Sequence, residues 1–249
     1  MTAIHYKINI PDDTPNVDIS TFLAPCTAKS SSWWSGIKPL DYGARTMKEW
    51  FFNALTRDPG WQRSVPNTIK VCPGIGDLFK RSYLVKWPCD TLLGIQGMDD
   101  GNYTYYFRIP DGQTNSILEI DSHNVHQWRS STTQIYEGML NLKVKLPVKL
   151  SSSKIAPLLP VNPDYHHSSF PYQVMPGVIT LGQPGVSLDL NINLMFELPD
   201  PGDLIIHEFK EGDVLCYLTL LNHDKTVPLK EKNVMPHYRK SFIRGSYNV

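Results

Sequence analysis

The sequence carries no excess of charge of either sign, because Lys and Arg together number 24 and Asp and Glu also number 24. Such a chain has no overall field that would gather nucleic acid or an anionic membrane. It also lacks any apolar run near the roughly 20 residues that a membrane-spanning helix requires. Residues 1–7 lack the basic and apolar regions of a signal peptide. We therefore expect a soluble protein without a global nucleic-acid or membrane signal.

The common catalytic signatures are missing as well. No Walker A loop, Rossmann glycine fingerprint, GxSxG elbow or HExxH pair occurs. None of the eight histidines is followed two residues later by an acid, the local signature of oxoglutarate oxygenases. The four cysteines form no CxxC pair, which disfavours a zinc site. We expect free thiols in a reduced cytosol, although neighbouring strands would allow Cys72 and Cys89 to approach each other.

The residues that are present indicate a β protein. Hydrophobic residues make up 41% of the chain, enough for a sizeable core, and 20 prolines with 16 glycines favour short strands and many turns. Closely spaced strands without regular strand–helix alternation predict a mainly β, antiparallel sandwich or barrel, jelly-roll or cupin-like, with one or two short helices. We expect one β-rich domain over residues 1–249, with a basic and flexible tail at 225–249.

Two helices are predicted. Thr46 and Glu49 have the spacing of a capping box and precede an apolar stripe at helical intervals, which predicts a helix over Thr46–Arg57. A second, shorter helix is indicated after Pro73, because Ile75, Leu78 and Phe79 follow at positions i, i+3 and i+4.

The clearest predicted strand is 186–196, where every even residue is apolar and nearly every odd residue is polar. We expect its even residues to be buried and its odd residues exposed. Residues 204–209 and 214–221 are predicted to form a hairpin around Gly212. Residues 151–185 are rich in Pro, Ser and Gly and are predicted to be a long ordered loop. Further strands are predicted at 68–71, 82–87, 91–96, 103–109, 117–120 and 140–146, with a hairpin turn at 99–102.

A metal site is one functional hypothesis. Asp121 precedes His123 by two residues, and Asp164 likewise precedes His166, and residues two apart on a strand share a face. Together with the nearby His126, the residues Asp121, His123 and His166 would supply carboxylate and imidazole ligands. Such short spacings also arise by chance, and we favour the alternative that these are surface polar groups.

Aromatic residues suggest a second kind of site. Trp33 and Trp34, with other tryptophans that include Trp87, are able to line a sugar or peptide groove. Tryptophans more often fill cores, and we favour that alternative in general. Trp33 and Trp34 are the exception, because two adjacent tryptophans in a Ser-rich loop do not easily face one core. They are therefore the candidate ligand-binding residues.

Three segments resemble a known family. Residues 68–73, with Lys70, Cys72 and Pro73, then Asp77, then 83–90 ending in Pro-Cys-Asp, are similar to uncharacterised proteins of tailed bacteriophages, especially marine ones, with distant bacterial relatives. The segment 209–218 is similar to the closing hairpin of the same family. The resemblance covers about thirty residues. It implies a β-rich fold and a phage-type setting, and it supplies no catalytic residue. We expect Asp77 and Asp90 to accept hydrogen bonds from backbone amides.

These observations favour a non-catalytic binding or structural domain of a phage-type system, located in the host cytoplasm or in the virion. Its partner would be a protein or a small ligand, and no particular cofactor is indicated. The first alternative is a cupin-like metal-dependent enzyme that uses Asp121, His123, His126 and His166. The second alternative is a carbohydrate-binding module that uses Trp33 and Trp34. The sequence does not decide whether the protein is an enzyme.

Overall fold

The computed structural model describes residues 2–10, 17–26, 73–99, 103–109, 117–122, 138–164, 170–223 and 225–232. Within these residues the chain forms fourteen strands, the helix α1 (Pro73–Arg81) and a 3-10 turn (Ile19–Thr21), so the expected mainly β, antiparallel architecture is confirmed. The strands in chain order are β1 (Ile4–Ile8), β2 (Leu23–Pro25), β3 (Ser82–Lys86), β4 (Thr91–Gly97), β5 (Tyr103–Arg108), β6 (Glu119–Ser122), β7 (Met139–Ser152), β8 (Ala156–Val161), β9 (Tyr172–Val174), β10 (Ile179–Leu181), β11 (Leu188–Glu197), β12 (Leu204–Phe209), β13 (Val214–Leu220) and β14 (Leu229–Glu231).

The first sheet is built around β7, and its strands lie in the order β14-β1-β7-β11-β9. One side of β7 pairs with β11, and the other side pairs first with β6 and then with β1. The register between β7 and β11 shifts where Pro147 interrupts β7, because proline has no N–H to donate to a neighbouring strand. The pairs are antiparallel except for β1 and β14, which are parallel.

The second sheet has the order β10-β8-β13-β3-β2, and the third has the order β12-β4-β5. These two sheets are continuous with each other, because β3 leads directly into β4 and β12 leads directly into β13. Residues 82–97 and 204–220 therefore form two long strands that run antiparallel and bend together at 87–90 and 210–213. The candidate functional site lies at this bend.

The predicted hairpin between 204–209 and 214–221 is wrong, although both strands exist. β12 pairs with β4, whereas β13 pairs with β3 and β8. Residues 210–213 still make a tight turn, in which Gly212 has a φ of 84° and the Asp213 N–H donates to the Lys210 carbonyl at 3.0 Å. The glycine correctly marked the turn, but a local pattern does not determine which distant strand each arm pairs with.

The main core lies between the first sheet and the other two, and its largest fully buried side chains include Trp87, Tyr83, Phe22 and Phe196. A smaller core lies on the opposite face of the second sheet, beneath α1. There Ile75 and Phe79 pack against Leu84 and Tyr217, and the rings of Phe79 and Tyr217 meet edge-on at 6.1 Å. The helix predicted after Pro73 is thus confirmed, and its apolar stripe covers the sheet.

The predicted loop at 151–185 is also wrong, because the region contains β8, β9 and β10. Pro157 and Pro160 conceal the alternation of β8, which buries Ala156 and Leu158. A proline in a strand lacks a donor but keeps its acceptor. The Leu221 N–H accordingly donates to the Pro157 carbonyl at 3.0 Å.

The strand predicted at 186–196 is confirmed as β11, but its predicted alternation holds only in part. Leu190, Ile192 and Leu194 are buried as expected, and the odd residues Asn191 and Asn193 are only partly exposed. The exceptions are the odd residues Ser187 and Met195, which are buried, and the even residues Val186 and Leu188, which are only partly buried. Lys145 and Lys143 of β7 stand directly opposite Asn191 and Asn193, so long side chains of the same face lie beside both residues. The exposure of these residues depends on their position within the sheet. The alternation of apolar and polar residues along the strand does not reveal that position.

Several other predictions have mixed outcomes. β4 and β5 pair antiparallel, as the hairpin predicted around 99–102 requires, although residues 100–102 lie outside the described residues. The helix Thr46–Arg57 and the strand at 68–71 also lie outside them. The start of the predicted tail is part of the first sheet as β14, and the Tyr83 hydroxyl anchors it by accepting from the Val227 N–H at 2.8 Å. No helix in the described part of the chain is long and apolar enough to cross a membrane.

Candidate functional site

The bend brings together the two segments that carry the family resemblance, 83–90 and 209–218. The Trp87 N–H donates to the Asp213 carbonyl at 2.9 Å, and the Gly212 N–H donates to the Trp87 carbonyl at 2.9 Å. The carboxylate of Asp90 accepts from the Glu211 N–H at 2.8 Å. The two segments are therefore one structural unit, although more than a hundred residues separate them in sequence.

The two acids of these segments differ in role. Asp90 accepts a backbone hydrogen bond, as the sequence predicted, and this bond together with the nearby Lys210 ammonium lowers the pKa of the Asp90 carboxyl. Asp77 lies exposed on α1, where its Oδ1 is 3.7 Å from the Lys80 ammonium. An ion pair this exposed contributes little to stability. Asp90 thus belongs to the frame of the bend, whereas Asp77 lies on the outer surface of the helix.

An aromatic cluster fills the inside of the bend. The rings of Trp87 and Phe209 stack with centroids 4.2 Å apart and an interplanar angle of 6°. The Tyr172 ring lies 5.9 Å from that of Phe209 and 5.5 Å from that of Phe196. Its hydroxyl donates to the Leu215 carbonyl at 2.9 Å, and burial raises its pKa well above the ordinary value. We name this set, with Phe170 and His207, the aromatic cluster. The Tyr172 hydroxyl is held by its hydrogen bond to the Leu215 carbonyl, so this ring has a defined place in the cluster.

His207 is the ionisable member of this cluster that titrates near neutral pH. It projects from β12 toward the core, with its ring centroid 5.4 Å from that of Phe196 and 6.4 Å from that of Phe209. Burial lowers the pKa of His207 below its ordinary value of 6.5, because charge is disfavoured among apolar rings. The imidazole is therefore neutral at pH 7. The adjacent Glu208 points to the other face and is exposed, as expected for neighbours on a strand.

A small pocket of about 260 Å³ opens beside the aromatic cluster. It lies between β12 and the segment that leads into β9. Two carboxylates, those of Glu208 and Asp213, line it, and its other described lining residues are aromatic, aliphatic or neutral at pH 7. In full these residues are Trp87, Phe170, Pro171, Tyr172, Ile206, His207, Glu208, Phe209, Asp213 and Val214. Pockets for drug-sized ligands begin near 300 Å³, so this one is suited to a single side chain.

Within the described part of the chain, the strand that borders this pocket is paired on one side only. β12 pairs with β4, and no described strand lies along its other edge. Leu204, Ile205 and Ile206 at its start are 47%, 36% and 61% exposed. Edge strands are normally protected by charge, proline or a covering element, because their unpaired backbone groups are able to pair with another chain. The start of β12 has none of this protection, because three successive exposed residues on it are aliphatic.

The outer face of the third sheet continues this apolar surface. Leu92 on β4 and Tyr106 on β5 are exposed and lie on the same face as Leu204 and Ile206. The Tyr106 ring lies flat over Gly94, where an added Cβ would be only 2.2 Å from a ring atom. Gly94 therefore provides the space in which Tyr106 rests, and an apolar patch extends across all three strands.

The predicted metal ligands are placed only in part. Asp121 lies in β6, where its Oδ2 is 3.1 Å from the Lys145 ammonium, and Glu119 lies 2.6 Å from the same ammonium. These contacts raise the pKa of Lys145, with the Glu119 hydrogen bond as the largest cause. The other predicted site residues, His123, His126, His166, Trp33 and Trp34, lie outside the described residues. Within the described ranges, no three His, Cys, Asp or Glu side chains come together as a metal site would require. The metal and tryptophan sites stay predictions.

A larger cavity of about 990 Å³ lies near β2 and β14. Its described lining residues include Leu23, Pro25, Val227 and Leu229, and none of them is a Phe, Tyr, Trp, Asp or Glu. Its polar lining residues are Thr2, Ser20, His223, Lys225 and Thr226. The smaller pocket differs in having aromatic and acidic residues beside a run of exposed aliphatic side chains, and it is therefore the better candidate.

The cysteines give no sign of a reactive site in the described part of the chain. Cys26, Cys89 and Cys216 are buried free thiols, as expected for small core residues. Burial raises the pKa of Cys26 to about 12 and raises the pKa of Cys216 well above the ordinary value. Thiols held protonated in this way are poor nucleophiles. Cys72 lies outside the described residues, so its approach to Cys89 stays a prediction.

Sequence reasoning did not identify this pocket. It placed Trp87 in the core, which is confirmed at 1% exposure, and it named neither His207 nor Glu208 as a site residue. The missed signal was the run Leu204–Ile206 beside His207, because three aliphatic residues at the start of a strand look like core. Their exposure and the one described partner of β12 become visible only in the folded structure.

Comparison with known proteins does not assign a family. A scan against protein-family models, a search of curated proteins and a search of solved structures each found no match for the chain. We therefore infer function from the geometry and chemistry of the site.

Proposed function

We propose that this chain is a non-catalytic binding domain that recognises an extended segment of a partner protein along the free edge of β12. The observation that carries the proposal is the exposed run Leu204–Ile206 on an edge with which no described strand pairs, directly beside a pocket. On the sequence resemblance alone, we further propose a phage-type setting for this interaction.

The binding mode would be strand addition. An extended segment that lies beside β12 gains backbone hydrogen bonds along its length, which supply affinity for many sequences. Alternate side chains of the added strand face opposite sides of the sheet. One set would contact the apolar patch formed by Ile206, Leu92 and Tyr106. A side chain on the other set would enter the pocket, which supplies specificity.

The rigidity of the bend supports this role. Asp90, Trp87 and Asp213 hold β12 and β13 in place through backbone hydrogen bonds. A preformed edge binds with a smaller loss of conformational entropy than a mobile one. The resemblance segments thus have a structural explanation, because they build the support on which the open strand rests.

Two matched variants test the proposal. Ile206→Lys places a charge on the open edge, whereas Ile155→Lys makes the same change at a residue of similar exposure, 64% against 61%, before β8. The probes are acetylated nine-residue peptides of alternating Thr and Val with either Met or Arg at the centre. Backbone amide shifts in the NMR spectrum and calorimetric titration report binding.

We expect peptide-induced shifts to concentrate in residues 204–209. Ile206→Lys should weaken binding at least tenfold, and Ile155→Lys should leave it unchanged. The proposal is overturned if neither peptide shifts these amides, or if both variants bind like the parent protein.

A further inference from the structure

We infer that the pocket beside β12 takes an arginine side chain of the partner segment, so that the partner is an extended and basic stretch of polypeptide. This inference rests on the proposed function and names the chemistry of the residue that the site selects. Three observations support it, namely the aromatic walls, the local excess of acidic residues and the neutral histidine that lines the pocket.

The walls suit the body of an arginine side chain. Phe170, Tyr172 and Phe209 line the pocket and are held together by ring contacts of 5.8 and 5.9 Å. Phe170 is the partly exposed ring, whereas Tyr172 and Phe209 are each 6% exposed and back it from the core. Aromatic faces attract a guanidinium group through the ring quadrupole, and they also pack against the aliphatic stem that carries it. Arginine stacks on rings and pairs with carboxylates through a planar set of donors, which makes it a better fit than lysine.

The charge at the mouth of the pocket is negative. Glu208 and Asp213 line the pocket, and Asp90 and Glu211 lie in the same turn region. A basic residue, Lys210, lies beside these acids. Its ammonium pairs with Glu208 and lies 3.5 Å from the Asp90 carboxylate.

The wider segment has the same bias. Residues 197–213 contain six acids and one Lys or Arg, whereas the whole chain has a net charge of zero. The acid is therefore concentrated on this edge. Electrostatic complementarity of this kind selects partners of opposite charge and speeds their encounter.

The histidine favours a cation in the pocket only while it is neutral. His207 faces Phe196 and Phe209 on one side and the pocket on the other. The other ionisable residues that line the pocket are Asp213 from the turn, Tyr172 from β9 and Glu208, whose side chain points to the opposite face of β12 from His207. Protonation of His207 below its lowered pKa would add a positive charge beside the guanidinium. Binding of the arginine peptide should therefore weaken as pH falls below about 6.5, and this loss should disappear in His207→Phe.

The test compares the two nine-residue peptides, with Arg or Met at the centre, on the intact chain. We expect the arginine peptide to bind at least tenfold more tightly than the methionine peptide. The double variant Glu208→Gln and Asp213→Asn should abolish that preference. The new amide side chains keep an acceptor oxygen at each position but remove the negative charge of the carboxylate. Asp77→Asn is the matched control, because it removes a carboxylate on α1 and should keep the preference.

The outcomes separate this inference from the proposed function. Equal binding of both peptides along 204–209 would keep strand addition and overturn the arginine pocket. A preference that survives the double variant, or that is lost equally in Asp77→Asn, would also overturn it. If neither peptide binds and the protein instead associates with itself in a way that Ile206→Lys prevents, the occupant is a second copy and the inference fails.

Discussion

The carboxylate of Asp90 accepts a hydrogen bond from the backbone N–H of Glu211 at 2.8 Å, although 121 residues separate the two in sequence. The bond closes the bend at which both long strands pass from the second sheet to the third. Lys210, the residue next to Glu211, adds an ion pair to the same carboxylate at 3.5 Å. One acidic side chain thus joins the two segments that the sequence singled out.

Asp90→Ala should lower the melting temperature, because the Glu211 N–H loses its acceptor. Asp90→Asn should be milder, since the amide oxygen still accepts a hydrogen bond while the ion pair with Lys210 is lost. Thermal unfolding followed by circular dichroism measures both. The control is Asp77→Asn, which we expect to leave the melting temperature nearly unchanged because its ion pair is exposed. Equal melting temperatures for Asp90→Ala and the parent would contradict a structural role.

The same bond has a pH dependence. The Glu211 N–H and Lys210 lower the pKa of Asp90 from its ordinary value of 3.8. A carboxyl with a lowered folded-state pKa contributes stability above its unfolded pKa and loses that contribution as pH falls through the folded value. The gap in melting temperature between the parent and Asp90→Asn should therefore narrow below about pH 4. A gap that is constant from pH 7 to pH 3 would show that the charge of Asp90 is not involved.

The next prediction concerns a residue of β11 that is buried in the hydrophobic core. Ile192 is 1% exposed and packs between the sheets, so Ile192→Ala should cost about 2–5 kcal/mol of unfolding free energy. Asn191→Ala should cost much less, because its Oδ1 is buried without a hydrogen-bond partner among the described residues. Urea unfolding measures both values. Equal losses at the two positions would mean that the faces of β11 are wrongly assigned.

Local sequence features predicted the parts of the fold that local chemistry determines. The alternation of β11 and the helical spacing of Ile75 and Phe79 each indicate which face of the element is buried, and neither pattern depends on which element packs against that face. Asp90 was predicted as an acceptor for a backbone amide because it follows a proline near the end of a strand. The structure adds only the identity of the donor, Glu211.

The functional site could not be predicted in this way, because it depends on pairing between distant strands. Leu204–Ile206 look like core residues in the sequence, but the fold leaves them exposed, and among the described strands β12 pairs with β4 on one side only. The pocket needs Tyr172 from the start of β9 and Phe209 from the end of β12. No spacing within one segment reports that these rings meet. The hairpin predicted around Gly212 failed for the same reason.

His207 should make stability depend on pH near neutrality. Burial lowers its folded-state pKa below 6.5, so between the two values the unfolded chain binds more protons than the folded one. Stability due to this group is then complete above about pH 6.5 and is lost as pH falls toward the folded value. His207→Phe keeps an aromatic ring in the cluster and removes the titration. Between pH 8 and pH 5 its melting temperature should fall less than that of the parent. Parallel curves for the two proteins would rule out a buried, neutral imidazole.

The last prediction compares two glycines between β10 and β11. Gly182 and Gly185 both have positive φ angles, 96° and 73°, which a residue with a side chain adopts only at a cost. They differ in surroundings. A Cβ at Gly182 would lie 2.2 Å from the Lys154 carbonyl oxygen, whereas a Cβ at Gly185 would have no atom within 4 Å.

Gly185→Ala should therefore cost about 1–2 kcal/mol, the strain of the left-handed conformation alone. Gly182→Ala carries the same strain and must also displace backbone, because the obstructing atoms belong to residues 154 and 155 and not to the end of a flexible side chain. Its loss in unfolding free energy should be at least twice that of Gly185→Ala, measured by urea unfolding under the same conditions. Because Leu181 pairs with Ala156 just beyond these residues, the displacement would reach the edge of the second sheet. Similar losses for the two variants would mean that the turn between β7 and β8 moves aside freely, and that Gly182 is not required for the close approach of the two chain segments.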